Sequence, residues 1–314
     1  MSLPYDAVLL IAFGGPTAPE EIRPFLARIT QGVSIPPERL EEVAHHYEAV
    51  GGKSPLNEIT HRQAEALKKV LASKGIELDV YVGLRNSSPF FVDALKQMAS
   101  DGVQNTLGFI LSSHRTEASW ERYQKNIADA RAELAGNAPT VDFCDGWHDH
   151  PLFVQSWVEL IEPAFNKIAP SLREATPLVL TAHSLPVPMA ARSTYAEQFE
   201  TSARLIADKL GHRRWSLAYQ SRSGKPADPW LEPDIADAIR KLAAEGCKTV
   251  VVAPIGFVCD HVEVLYDLDM EAKQIAADRG VEMLRVGCPN DHPTFIRMMA
   301  DVIERKLKTA EDRG

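Results

Sequence analysis

Two stretches of this chain carry residue types that can move protons and hold a divalent metal. The first is Leu180-Thr181-Ala182-His183-Ser184-Leu185-Pro186, in which a histidine closes an apolar run. Histidine titrates near neutrality, so it can take a proton from a weak acid or lend a nitrogen to a metal. The second runs from Ala253 through Gly256-Phe257-Val258-Cys259-Asp260-His261-Val262-Glu263 to Glu271. Within it Glu263, Asp267 and Glu271 stand at i, i+4 and i+8. On a helix that spacing puts three carboxylates in one row. Carboxylate oxygens and imidazole bind first-row divalent metals without the tight grip of thiolates. A structural reading competes with the chemical one. Asp260-x-x-Glu263 fits a capping box, with Asp260 as N-cap and Glu263 as N3, and acidic residues suit a helix N-terminus. Asp267 and Glu271 would then be a solvated face. Three like charges in a row repel one another, however, and gain nothing structurally. The pattern fits both a capped surface helix and a cation path.

Such residues need rigid elements to aim them. Short apolar runs at 7–13, 78–84, 106–112, 140–144, 177–182, 215–220, 248–255 and 282–287 are rich in Val, Ile, Leu and aromatics and predict strands. Amphipathic segments lie between them. In 194–210, Tyr195, Phe199, Ile206 and Leu210 recur near the helical period and Gly211 stops the run. In 59–74, Leu67, Val70 and Leu71 share a face and Gly75 follows. The alternation predicts an α/β protein of two doubly wound, Rossmann-like domains, each with a four-stranded parallel sheet, and a cleft between them. The domains are expected at residues 1–172 and 173–314, with 168–176 as linker and a last helix, 292–310, able to cross back onto the first domain. In open α/β sheets ligands bind beyond the carboxyl ends of the strands. Those ends carry Phe13-Gly14-Gly15, Arg85-Asn86, Ser113-His114, His183-Ser184, Gln220-Ser221 and Gly256 to His261.

Composition removes several classes of function. The chain has 314 residues and a formal net charge of -9, from 34 basic against 43 acidic residues, with no long run of like charge. Phosphate neutralisation needs a basic stripe, so no nucleic acid partner is expected. The four cysteines, at 144, 247, 259 and 288, form no CxxC pair and suit reduced thiols in the cytoplasm. The N-terminus, Met-Ser-Leu-Pro-Tyr-Asp, lacks the positive n-region of an export signal. The run Thr249 to Cys259 is 11 residues and contains Pro254, too short for a membrane span.

Some motifs fail on inspection. Gly14-Gly15-Pro16 follows a strand but is not GxGxxG, and Gly52-Lys53-Ser54 lacks the upstream glycine of a phosphate loop, Tyr47 standing there. His148-Asp149-His150 reads as a solvated turn, because neighbours in a loop point in different directions.

Taken together, these stretches resemble the ferrochelatase family. The similarity covers nearly the whole chain. It includes Ala12 to Pro16, His46-Tyr47, Gly51 to Asn57, Gly83-Leu84-Arg85, Ala182 to Pro186, Tyr219-Gln220-Ser221, Asp228-Pro229-Trp230-Leu231 and Gly256 to Asp267. The resemblance implies a fold of two Rossmann-like domains around a porphyrin cleft and the insertion of ferrous iron into a porphyrin, protoporphyrin IX or coproporphyrin III, with release of two protons. It implies that His183 and Glu263 face the porphyrin nitrogens as catalytic and metal-guiding residues, and that Asp267 and Glu271 extend the metal path. Phe13, His46, Ser54, Arg85 and Tyr123 are the implied porphyrin-binding residues. Ser54 and Tyr123 also have ordinary readings, as a turn residue and as helix core.

The chain departs from the family pattern in places. Phe13 stands where relatives from Gram-positive bacteria often have tyrosine, so no axial phenol is expected. The stretch Arg28-Ile29-Thr30-Gln31-Gly32 is less basic than in those relatives. Some members hold a [2Fe–2S] cluster with cysteines near the C-terminus; no cysteine follows Cys288 here, so no cluster and no other cofactor are expected. Substrates and a transient haem-accepting protein are the expected partners. The competing readings are a non-catalytic porphyrin or haem carrier and a chelatase for another tetrapyrrole or metal. A carrier has no need of a carboxylate row behind a base.

Overall fold

The structure, a computed structural model, describes residues 3–32, 35–223 and 228–311. Met1 and Ser2 of the N-terminal reading lie outside them. All eight apolar runs form strands: β1 (Ala7–Ala12), β2 (Asp79–Leu84), β3 (Asn105–Ile110), β4 (Thr140–Phe143), β5 (Leu178–His183), β6 (Trp215–Gln220), β7 (Thr249–Ala253) and β8 (Glu282–Arg285). They assemble into two four-stranded parallel sheets, in the orders β2-β1-β3-β4 and β6-β5-β7-β8. β1 is apolar throughout, and β5 and β7 are buried at all but one residue each, because helices cover both faces of a parallel sheet.

Two compact units result. Of the described residues, the first comprises 3–32, 35–112, 117–147 and 290–311; the second comprises 113–116, 148–223 and 228–289. In the first, Leu9, Ile11, Leu95, Met98 and Ile127 form a core with Trp120 and Tyr123. In the second, Val179, Val250, Val252, Ile239, Val264 and Leu268 do the same. The division differs from the expected 172/173 boundary. The helix Pro151–Asn166 belongs to the second unit, where the Phe165 ring lies 4.6 Å from His212 and the His148 carbonyl accepts from Ser202 Oγ at 2.7 Å. The expected linker 168–176 therefore falls within that unit, with Ile168 buried and a short helix at Pro170–Arg173. The last helix, Pro293–Glu311, belongs to the first unit, where Lys74 Nζ reaches Glu304 at 2.6 Å.

The strand orders fix where ligands can approach. In each sheet the chain moves outward from the first strand, then returns to its other side. The reversals fall between β1 and β3 and between β5 and β7. At such a reversal the flanking connections splay apart and leave a crevice at the carboxyl edge. His183 ends β5, and the Pro254–Glu263 segment leaves β7. The two chemical motifs are therefore the two strand ends that flank the reversal in the second sheet.

Candidate functional site

Close packing joins the two motifs. Gly256 N donates to Thr181 O at 3.0 Å, and a Cβ built on Gly256 would lie 2.5 Å from the Ala182 Cβ. Only glycine allows this approach. It brings His183 Nε2 to 3.8 Å from Glu263 Oε2. That distance is too long for a hydrogen bond, so neither atom saturates the other. Both stay accessible, with side-chain exposures of 29% for His183 and 43% for Glu263.

Local partners set the state of the histidine. His183 Nδ1 faces the carbonyl of Ser184 in a short contact. A carbonyl only accepts, so Nδ1 carries a proton and Nε2 is the ring nitrogen turned toward Glu263. The buried Tyr195 hydroxyl donates to the His183 carbonyl at 2.9 Å and fixes the backbone beneath the ring.

The capping box that the spacing allowed at Asp260 does not form. His261 is the N-cap instead, its Nδ1 accepting from Glu263 N at 3.2 Å. Asp260 turns away to Arg285, whose Nη1 lies 2.7 Å from it while the rest of the guanidinium grips Asp269. A cation that arrives 25 residues later outcompetes a neutral backbone N–H for the carboxylate. Glu263, relieved of capping, is free for chemistry.

The carboxylate row lies on a helix that changes type. Val262–Tyr266 is α-helical, Asp267–Ala272 is a π-helix, and Lys273–Asp278 is α-helical again. In an α-helix a four-residue step overshoots one turn by about 40°. A π-turn, closing i→i+5 bonds, takes more residues per turn and removes that overshoot. Glu263 and Glu271 both lie near enough to Asp267 to raise its pKa. Burial is the larger cause, and together they push Asp267 up to about 8 against the opposing bond from Ser221 Oγ. Ser221 sits at φ +64°, in the left-handed region, at the end of β6. Among the described residues no three His, Cys, Asp or Glu side chains gather around one point. The row is thus a succession of positions, not a cage.

The porphyrin-binding residues expected from the sequence lie in the first unit. Three of their loops are tied together by the buried Asn57. Its amide donates to Gly15 O at 3.0 Å and Ser87 Oγ at 3.1 Å, and its Oδ1 accepts from Gly15 N at 2.9 Å. Ser54 N donates to Pro16 O at 2.8 Å and Asn86 N to Phe13 O at 3.0 Å. This brings Phe13, Ser54 and Arg85 to one edge. Phe13 is 38% exposed, its ring edge-on to Phe25. Ser54 is buried and its Oγ accepts from Leu56 N, the work of a turn residue. Tyr123 is likewise buried, edge-on to Phe91. His46 is half-buried, and burial, aided by Arg39, holds its imidazole below the usual range.

Arg85 is different. Burial lowers its pKa and nearby Arg122 lowers it further, while the Tyr123 hydroxyl stands close on the favourable side. Among the described residues its guanidinium has no hydrogen-bond or carboxylate partner. A half-buried cation beside another cation carries a charge that its protein surroundings do not offset.

Other expectations resolve structurally. His150 is buried and caps the Pro151 helix, its Nδ1 accepting from Leu152 N at 3.1 Å, so the His148–His150 turn is only partly solvated. The sequence placed Gln220 at a ligand-facing strand end, Asn57 in a family-like stretch and Tyr195 on a helix face, but gave none of them a site-building role. Their signal was faint, a polar side chain at or near a strand end or loop with no local partner to satisfy it.

The fold is shared with chelatases. It matches sirohydrochlorin chelatase SirB of Bacillus subtilis subspecies spizizenii, solved in complex with cobalt, with TM-score 0.57 and 10% identity, covering 98% of this chain and 97% of that one. It also matches CbiX, the terminal enzyme of sirohaem biosynthesis in denitrifying bacteria, with TM-score 0.54 and 17% identity, covering 95% of this chain and 98% of that one. Sequence places the chain more closely. Residues 5–307 match the ferrochelatase family, and the chain belongs to it. It is 41% identical to a ferrochelatase of Rhodopirellula baltica over 97% of this chain and 87% of that protein. It is 40% identical to the coproporphyrin III ferrochelatase of Mycolicibacterium smegmatis over 96% and 90% of the two chains, and 42% identical to that of Mycobacterium avium over 96% and 88%.

Proposed function

We propose that the protein inserts ferrous iron into a porphyrin in haem synthesis, with coproporphyrin III as the preferred ring. The observation that carries this reading is the facing pair His183 and Glu263, 3.8 Å apart and unbonded, within a ferrochelatase-family chain. Metallation replaces two pyrrole N–H protons by one Fe²⁺. His183 Nε2 takes one pyrrole proton at a time and passes each to solvent, so that both leave through the same imidazole. Glu263 meets the incoming cation; Glu271 and Asp267, whose proton leaves to solvent as the cation arrives, deliver it along the π-turn. Carboxylates hold Fe²⁺ weakly enough to release it to the macrocycle. Bending the ring toward the geometry of the transition state exposes nitrogen lone pairs, which is binding used for rate.

The names of several relatives at about 40% identity favour coproporphyrin III over protoporphyrin IX. Arg85 with Tyr123, and His46 at the same helix end as Tyr47, would take propionates; Phe13 would pack against the ring. Arg85 is the strongest of these, since it has no acidic partner among the described residues. Ser54 would contribute through its backbone loop. A cytoplasmic location is supported by four free cysteines. No helix among the described residues is long and apolar enough to cross a membrane. We propose further that the enzyme works without an iron–sulfur cluster and passes its product to a haem-accepting protein. Absorbance of freshly prepared protein tests the first point; a cluster band refutes it.

The direct test is anaerobic Fe²⁺ insertion, followed by absorbance, with coproporphyrin III and protoporphyrin IX side by side. Turnover with coproporphyrin III strongly preferred is the expected result. Preference for protoporphyrin IX overturns the substrate choice, and tight binding without turnover on either ring makes the protein a carrier.

A further inference from the structure

We propose that Gln220 is a positioning residue that sets the separation of His183 and Glu263, with Thr181 as its anchor. The proposal rests on the reading of that pair as the catalytic centre.

Gln220 ends β6 directly opposite His183, its register partner in β5. It is 1% exposed. Its backbone carbonyl accepts from Ser184 N at 2.7 Å, which holds the residue following the histidine. Its side chain reaches the other motif: Nε2 donates to the Glu263 carbonyl at 2.9 Å. Its Oε1 accepts from Thr181 Oγ1 at 2.8 Å. Thr181 is itself tied to the second motif, since its carbonyl accepts from Gly256 N at 3.0 Å. One buried residue therefore holds the histidine segment at two points, by its side chain at Thr181 and by its backbone at Ser184, and the backbone of the glutamate at a third.

The chemistry of the side chain supports a directional role. An apolar side chain of similar volume fills buried space as well as an amide and needs no partners. A buried amide is kept at little net gain in stability, and only while its donor and acceptor are both satisfied. Here its donor and its acceptor each have a partner, and both partners belong to segments that end in a site residue. The helix above is short and irregular, with Asp267 N directed to Val264 O. The backbone carrying Glu263 thus depends on contacts from outside its own helix. A threonine–glutamine–carbonyl strut of this kind fixes the height of Glu263 over His183 without touching substrate.

The test compares Gln220→Leu, Thr181→Val and His183→Ala by steady-state Fe²⁺ insertion and thermal unfolding. For Gln220→Leu the expected result is kcat lowered roughly tenfold, the scale on which small misplacements act. The KM for porphyrin should stay within about twofold, because Gln220 binds no part of the ring. Thr181→Val, which leaves the Nε2 bond, should lose less, and the double variant should be no worse than Gln220→Leu alone. If Gln220→Leu does not fold, Thr181→Val alone decides by the same split between kcat and KM. An unchanged kcat in whichever variant decides, with only thermal stability reduced, overturns the proposal and makes Gln220 a packing residue. Near-normal turnover by His183→Ala overturns the reading of the pair and the proposal with it; an inactive His183→Ala beside a fully active Gln220→Leu overturns the proposal alone.

Discussion

Gly256 and Ala182 pack so tightly that a methyl group on the glycine would lie 2.5 Å from the Ala182 Cβ and 2.6 Å from its Cα. This contact, one residue before His183 and seven before Glu263, is where the two chemical segments are keyed together. Part of the obstruction is backbone, which a rotamer change cannot relieve. Gly256→Ala should therefore cost about 1–3 kcal/mol of stability and spread the His183–Glu263 pair. Calorimetry and turnover should fall together; a variant with wild-type activity would show that the pair tolerates a looser seam.

His183→Ala removes the imidazole that faces Glu263 at 3.8 Å. Metallation should fall by roughly 10²- to 10⁴-fold, the range associated with a general base. Porphyrin binding, followed by fluorescence quenching, should be little altered. Near-normal turnover would sink the assigned role.

Asp267 makes stability depend on pH. An unfolded aspartate ionises near about 3.9, whereas the folded carboxyl keeps its proton up to about 8. Between those values the native state binds the extra proton, so stability falls as pH rises and the loss is complete above the folded value. Asp267→Asn stays neutral throughout. Its melting temperature relative to the wild type should be least changed near pH 4 and should climb toward pH 9. A constant difference across that range would contradict the raised pKa.

Arg85→Met separates binding from folding. The guanidinium has no acidic partner among the described residues, and burial beside Arg122 disfavours its charge. Its removal should leave the melting temperature unchanged or slightly raised while KM for porphyrin rises several-fold, since a charge-assisted bond is worth about 1.5–3 kcal/mol. A fall in stability with unchanged KM would make Arg85 structural.

Glu271→Ala tests the outer end of the row. It should raise the Fe²⁺ concentration needed for half-maximal rate and leave porphyrin binding alone. If neither changes, the outer carboxylate is solvated surface.

The sequence by itself determined the strands, the parallel sheets and the position of the histidine. Apolar runs such as Ala7–Ala12 and Thr249–Ala253 have no other way to bury both faces, and the residue after such a run lies at the ligand edge. It also determined the family, through the conjunction of the His183 and Glu263 segments. Tertiary structure decided what local pattern left open. Asp260 reads as a helix cap until Arg285 claims it, and Glu263 reads as its capping partner until His261 takes that place. The helix Pro151–Asn166 carries no mark of which sheet it will cover, so the domain boundary came from packing. The grip of Gln220 on Glu263 joins residues 43 apart in the chain. Periodicity and capping preferences are local energies of about 1 kcal/mol or less. A buried amide or a second guanidinium outweighs them once the chain has folded back, and only the folded chain shows which partner wins.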